Sequence, residues 1–302
     1  MTEIVLSVDQ ANRRLDRVLQ AYLNEAPKNL IHKLLRKKRI KLNGKNAHGG
    51  ELTAVGDVLR FYMAVETIAG LRSDKAAHAV AKPLDVVYED KHVLIVNKPQ
   101  GLLTHSDKPG VQDTLIARVL HHVGGDFRPA LVNRLDRNTS GLVMAGKTMA
   151  GLQALNACMA ARGVIKTYLA VVHGKLAGSG TLRGHLVKDS VQNRAAIVSG
   201  RANVRTDYKA IRHVNDLTLL ELVLHTGKSH QIRAQLSDIG HPIVGDVKYG
   251  GGRGGGQLLH ACSLEFVDCS PPIEYLKGQV FQAPVPEGFN VFRENESLCQ
   301  QP

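Results

Sequence analysis

Leu15, Val18, Leu19, Tyr22 and Leu23 recur at i, i+3, i+4, i+7 and i+8, the stripe of an amphipathic helix. Leu30, Ile31, Leu34 and Leu35 repeat that stripe, and the positions between them carry His32, Lys33, Arg36 and Lys37. Ile40-Lys41-Leu42 alternates and runs into the turn signal Asn43-Gly44; Val55-Gly56-Asp57 and a strand-like Val58 to Tyr62 follow. These patterns predict a small α+β module over residues 10–66. Residues 67–82 are rich in Ala, Gly, Ser and charge without an apolar period, and are assigned to a linker. From Pro83 the texture changes. Val86-Val87-Tyr88 and Val93-Leu94-Ile95-Val96 predict a hairpin, Gly141 to Met144 a buried strand, and Met149 to Arg162 a helix. Thr167 to Val172 and Leu217 to Leu224 read as further strands. Many strands, few helices and no regular βαβ alternation predict an α+β fold with a mixed, largely antiparallel sheet over residues 83–293. The glycine-rich Tyr249 to Gln257 is expected to be a mobile loop, and residues 294–302 a frayed tail.

Charge adds a partner to this picture. The 302 residues hold 39 Lys and Arg against 27 Asp and Glu, a formal charge of +12. The excess is concentrated: between Lys28 and Lys45 lie eight basic residues and no acidic one. A solvated helix face would mix the two signs, so the cluster points to a polyanion, most often nucleic acid, with Lys33, Arg36, Lys37 and Arg39 as candidate phosphate contacts. The chain lacks Trp and has only 4% aromatics, which disfavours a base-stacking platform. No apolar run approaches the roughly 20 residues of a membrane span. Met1 to Arg14 lacks the pattern of a secretory signal, and four cysteines without a CxxC pair make no disulfide scaffold; a cytoplasmic location is expected.

The segment Asn133-Arg134-Leu135-Asp136-Arg137-Asn138-Thr139-Ser140-Gly141 is polar, sets one carboxylate between two guanidinium groups and runs straight into a buried strand. On composition alone an ion-paired turn is the better reading of Asp136.

Four blocks in order, however, resemble the RluA family of pseudouridine synthases, in the variety that carries an N-terminal S4 RNA-binding domain. They are Tyr88-Glu89-Asp90 with Val93 to Pro99, Gly101 and His105; Arg134-Leu135-Asp136 with Thr139-Ser140-Gly141; Lys166-Thr167-Tyr168 through Gly174; and His225 to Arg233, then Gly240 to Asp246 and Leu259-His260-Ala261. The family usually has His at the position of Asn133 and Asp at that of Asn138. The resemblance implies that Asp136 is the catalytic carboxylate, acting either on C1′ as a nucleophile or on a C2′ proton. It implies that Arg233 holds Asp136 and that Tyr168 lies against a flipped uracil. It further implies that Ile232 packs on the nucleotide, and that Arg134 replaces the extruded base or binds phosphate. Core packing is the plain alternative for Tyr168 and Ile232.

The implied activity is isomerisation of uridine to pseudouridine in structured RNA, with 23S-type large-subunit ribosomal RNA the expected partner. No cofactor and no metal is expected: Gly250, Gly252 and Gly255 match GxGxxG without a strand leading in, and the GKS at Gly227 lacks the P-loop's first glycine. His225, His230, His241 and His260 are assigned to turns and core. No protein partner or membrane is implied. The runner-up is an inactive RNA-binding or ribosome-assembly protein of the same fold, against which Asp136, Tyr168 and Arg233 weigh.

Overall fold

The computed structural model describes residues 2–6, 10–72, 82–105, 113–124, 127–189 and 193–292. The chain divides into two compact units, residues 1–79 and 80–302. In the first, strand β1 (Thr2–Val5) is followed by helices α1 (Leu15–Tyr22) and α2 (Lys28–Arg36), strands β2 (Ile40–Leu42), β3 (Lys45–Asn46) and β4 (Val58–Phe61), and the short helix α3 (Val65–Gly70). The sheet runs β1-β4-β2-β3, all antiparallel. The stripes read from the sequence do the packing: α1 buries Leu15, Val18 and Leu19, and α2 buries Ile31 and Leu35, in one core with Ile40, Leu59 and Phe61. Lys33, Arg36, Lys37 and Arg39 stay exposed.

This unit reaches beyond the 10–66 boundaries on both sides. β1 adds an edge strand through Thr2↔Phe61 to Val5↔Val58, and α3 sends Ile68 into the core, inside the segment assigned to the linker. A four-residue strand and a six-residue helix with one buried apolar side chain are too short to show a period. Residues 73–81 of that linker, and the tail, lie outside the described residues.

The second unit contains strands β5 (Val86–Glu89) and β6 (Val93–Lys98), helix α4 (Leu115–Val123), strands β7 (Ala130–Leu131) and β8 (Ser140–Gly146), and helix α5 (Met149–Ala160). Then come β9 (Val164–His173), β10 (Ser179–Asp189), β11 (Arg194–Val198), β12 (Val204–Val214), β13 (Leu217–Leu224), helix α6 (Gln231–Asp238), β14 (Leu259–Phe266) and β15 (Val280–Gln282). They form one sheet in the order β11-β10-β12-β13-β9-β14-β8-β6-β5, with β7 beside β8 and β15 beside β14. The sheet is mixed and largely antiparallel, as expected. Its parallel pairing joins β8 to β14 at the centre, through Ser140↔His260 and Gly141↔Ala261. Gly141 is required there: its φ is 111°, and a Cβ would sit 2.2 Å from the Ala261 carbonyl oxygen.

Both faces of the central strands are covered. Along β6 and β8, Leu94, Val96, Val143 and Ala145 point to a core shared with Leu115 and Val119 of α4 and Ile232 and Leu236 of α6. The alternate residues Val93, Ile95, Leu142 and Met144 point to a core shared with Ala154, Leu155 and Cys158 of α5. A strand buried on both sides reads as an unbroken apolar run, which is why β6 and β8 are plain in the sequence. No helix among the described residues is long and apolar enough to cross a membrane.

Candidate active site

The loop 133–139 leads into β8, and its neighbours fix it at four points. The Asn133 side chain accepts from the Met144 N–H at 2.8 Å and donates to the Leu142 carbonyl at 3.2 Å, so it pairs with the strand edge. Thr104 Oγ1 donates to the Leu135 carbonyl at 2.6 Å. Lys98 is fully buried, and its ammonium donates to the carbonyls of Pro99, Leu102 and Arg137 at 2.9, 2.9 and 3.1 Å. Burial pulls the Lys98 pKa down to about 8, with the charge of Asp136 opposing the fall. Gln257 Nε2 donates to Thr139 Oγ1 at 2.8 Å. A loop clamped in this way presents its carboxylate in one place.

That carboxylate meets Arg233 from the first turn of α6. Arg233 Nη1 donates to Asp136 Oδ2 at 2.8 Å, while Nε and Nη2 donate to the two oxygens of Asp246 at 2.6 and 2.8 Å. Burial disfavours the guanidinium charge, but the two carboxylates more than offset it, and its pKa lies above the ordinary arginine value. The Arg233 guanidinium also stacks on the Tyr249 ring, 4.9 Å from its centroid.

Asp136 and Arg233 face a cleft of about 300 Å³. Tyr168 of β9 and Ile232 of α6 line it; both are buried, at 6% and 5% exposure, and both also belong to the core. Their two readings, core and site, therefore coincide. The Tyr168 hydroxyl makes no hydrogen bond among the described residues, and burial, helped by Asp136, raises its pKa, keeping it protonated. Arg134 is exposed on the cleft wall without a partner among the described residues. Lys166 also lines the cleft, and burial lowers its pKa.

The structure thus brings Arg134, Asp136, Tyr168, Ile232 and Arg233 to one cleft. The four basic side chains of the N-terminal unit belong to a separate body. Three further residues of the site do not stand out in the sequence. Asp246 appears there only as the end of a longer block. Tyr249 opens the glycine-rich segment expected to be mobile, yet it is buried in a turn that Gly251 closes onto Asp246 through a 2.8 Å hydrogen bond. His230 reads as a turn or core residue, yet it lines the cleft with Nε2 3.9 Å from Asp136 Oδ2. The other three histidines fit the turn and core assignment: His225 binds Asp207, His241 the carbonyl of His173, and His260 the hydroxyl of Ser140.

Residues 92–238 match the family model for RNA pseudouridylate synthase. An uncharacterized RNA pseudouridine synthase of Bacillus subtilis (strain 168), YlyB, is 30% identical over 306 residues, covering 97% of each chain. The chain belongs to the RNA pseudouridine synthase family. Ribosomal large subunit pseudouridine synthase D of Xylella fastidiosa (strain Temecula1 / ATCC 700964) is 32% identical across 92% of this chain and 87% of its own. Among solved structures, human RNA pseudouridylate synthase domain containing 1 superposes with a TM-score of 0.53 at 22% identity, covering 70% of this chain and 94% of that one. That likeness carries the fold of the synthase. The family's reaction is an isomerisation: the N1–C1′ bond of a uridine breaks, the base turns, a C5–C1′ bond forms, and the C5 proton is exchanged for one on N1.

Proposed function

We propose that this synthase isomerises specific uridines of large-subunit ribosomal RNA in the cytoplasm, with Asp136 as the catalytic carboxylate acting on a flipped-out nucleotide. The observation that carries the reading is the chain Asp246–Arg233–Asp136, which aims one carboxylate into a cleft of about 300 Å³, of the size of a single nucleoside. Breaking the glycosidic bond builds positive character at C1′, and a fixed carboxylate stabilises it without reorganising. The target atom lies inside a stacked helix, so the nucleotide has to leave the stack to reach the cleft. Tyr168 and Ile232 supply apolar surface for the extruded uridine, and the exposed Arg134 stands at the wall, where it can meet phosphate or fill the vacated place. The exposed Lys33, Arg36, Lys37 and Arg39 give an S4-like N-terminal unit its phosphate contacts. The relatives named for the ribosomal large subunit support that choice of RNA.

Mapping pseudouridine in ribosomal RNA from a strain lacking the protein, then restoring wild type or Asp136→Asn, tests this. Wild type restores the missing sites and the variant does not, with a turnover loss beyond about 10⁴-fold on the mapped stem-loop. Asp136→Asn retaining a tenth of wild-type turnover overturns the assignment of Asp136. An unchanged large-subunit map overturns the assignment of the RNA.

A further inference from the structure

His230 precedes α6 in the left-handed conformation, with φ 57°, a geometry that brings its ring back over the cleft beside Asp136. Its Nδ1 lies 3.0 Å from the Tyr249 hydroxyl, which in turn accepts the Ala195 N–H at 2.8 Å. A phenol oxygen has one proton to give. The Ala195 N–H takes one lone pair of that oxygen, and among the described residues Nδ1 is the acceptor within reach of the phenol proton, so the Tyr249 proton is assigned to Nδ1. The imidazole proton then resides on Nε2, the nitrogen 3.9 Å from Asp136 Oδ2. Burial lowers the His230 pKa, opposed by Asp136 and reinforced by Arg233, so the ring is neutral near pH 7. Tyr249 is itself buried, and its ring carries Arg233 on one face; one side chain orients both neighbours of the carboxylate.

A donor and a carboxylate 3.9 Å apart are too far to bond each other but span the distance that one hydroxyl oxygen bridges. The bridging group has to accept from Nε2–H and donate to a carboxylate. A carbonyl oxygen only accepts and would face the carboxylate unfavourably; a hydroxyl does both. On the reading above, which places C1′ of the target at Asp136, the hydroxyl one carbon away is the ribose 2′-OH. We propose that His230, oriented by Tyr249, is a specificity-determining residue that together with Asp136 holds the 2′-hydroxyl of the target nucleotide, so that the cleft reads ribose and not deoxyribose. Asp136 Oδ1 carries no other hydrogen bond among the described residues, so the carboxylate has acceptor capacity left once Arg233 is bound.

The test uses the full-length protein and two stem-loops carrying pseudouridine at the mapped position, one with ribose and one with 2′-deoxyribose. Both are products with a C–C glycosidic bond, so affinity is read without turnover. Wild type should bind the ribose form about tenfold more tightly. His230→Gln, which places an amide N–H near the Nε2 position, should keep most of that ratio, and His230→Phe should reduce it below about threefold. A histidine that merely supports the fold would weaken both RNAs alike, and an unchanged ratio in His230→Phe overturns the proposal. Nitrogen-15 spectra of the wild-type imidazole provide a readout that needs no variant: a proton found on Nδ1 also overturns it. Failure of the underlying reading looks different, because wild type would then leave the uridine form of the same stem-loop unmodified.

Discussion

Arg233 reaches Asp136 with a guanidinium that Asp246 already holds in a two-pronged grip, at 2.6 and 2.8 Å. Asp246 is 1% exposed, so that grip is dry, and it comes from a residue that does not line the cleft. The Asp136 carboxylate is therefore aimed through an intermediary.

Asp246→Asn tests this relay. The amide keeps the shape but loses one acceptor and the charge, so Arg233 gains freedom to rotate. The expected single-turnover rate falls on the order of 10- to 100-fold, about 1.4–2.7 kcal/mol of barrier, with RNA affinity within about threefold of wild type. A rate equal to wild type would remove Asp246 from the site's machinery.

Tyr168 offers the cleft a ring and a hydroxyl that makes no hydrogen bond among the described residues. Tyr168→Phe should bind the mapped stem-loop nearly as wild type does, since the ring remains. Tyr168→Leu should lose about 1–3 kcal/mol of affinity if an extruded base stacks there. Titrations by fluorescence anisotropy check this; equal affinity for the Leu variant would leave Tyr168 as core alone.

Acid stability should report His260. Burial drops its pKa to about 4, against about 6.5 in an unfolded chain. Between those values the unfolded chain binds a proton that the native one does not, so stability is lost as pH falls from about 6.5 toward 4, by about 2 kcal/mol at pH 5. His260→Gln keeps an amide near Ser140 without titrating. Its urea midpoint should fall less steeply over that range, and a slope matching wild type would refute the linkage.

The N-terminal unit should govern salt dependence. Replacing Lys33, Arg36, Lys37 and Arg39 together with Gln should flatten the log–log plot of affinity against salt by about 0.7–0.9 for each phosphate that is no longer neutralised. Turnover at saturating enzyme should hold. A slope unchanged by all four substitutions would make the cluster a solvated face.

What the sequence disclosed and what it hid divide along a physical line. β6 and β8 are double-sided buried strands and show as apolar runs; Asp136 stands out because a polar loop breaks into one of them. α1 and α2 each have one wet face, so their stripes are visible. β10 and β12 are long, but each buries only two of its eleven residues, and with Arg, Lys and His among their side chains they carry little apolar alternation. Lys98, His230 and Asp246 hide for another reason. Each is a polar group with a partner that only the fold brings to it, Arg137 39 positions from Lys98, Tyr249 19 from His230 and Arg233 13 from Asp246, and burial with satisfaction is a property of that pairing, not of the neighbouring letters.

The parallel join between β8 and β14 has a consequence for the order of events during synthesis. Ser140 and His260 are 120 positions apart, and Asp136 and Arg233 are 97 apart. The loop bearing Asp136 thus leaves the ribosome long before the strand that flanks it and the helix that supplies its arginine. Pairings across such separations close late, because the chain entropy between them has to be lost first. The cleft therefore cannot close around Asp136 until at least residue 233 has been made. A chain truncated before residue 259 would carry every residue that lines the cleft but the strand's own Leu259, and would still lack the strand that joins β9 to β8.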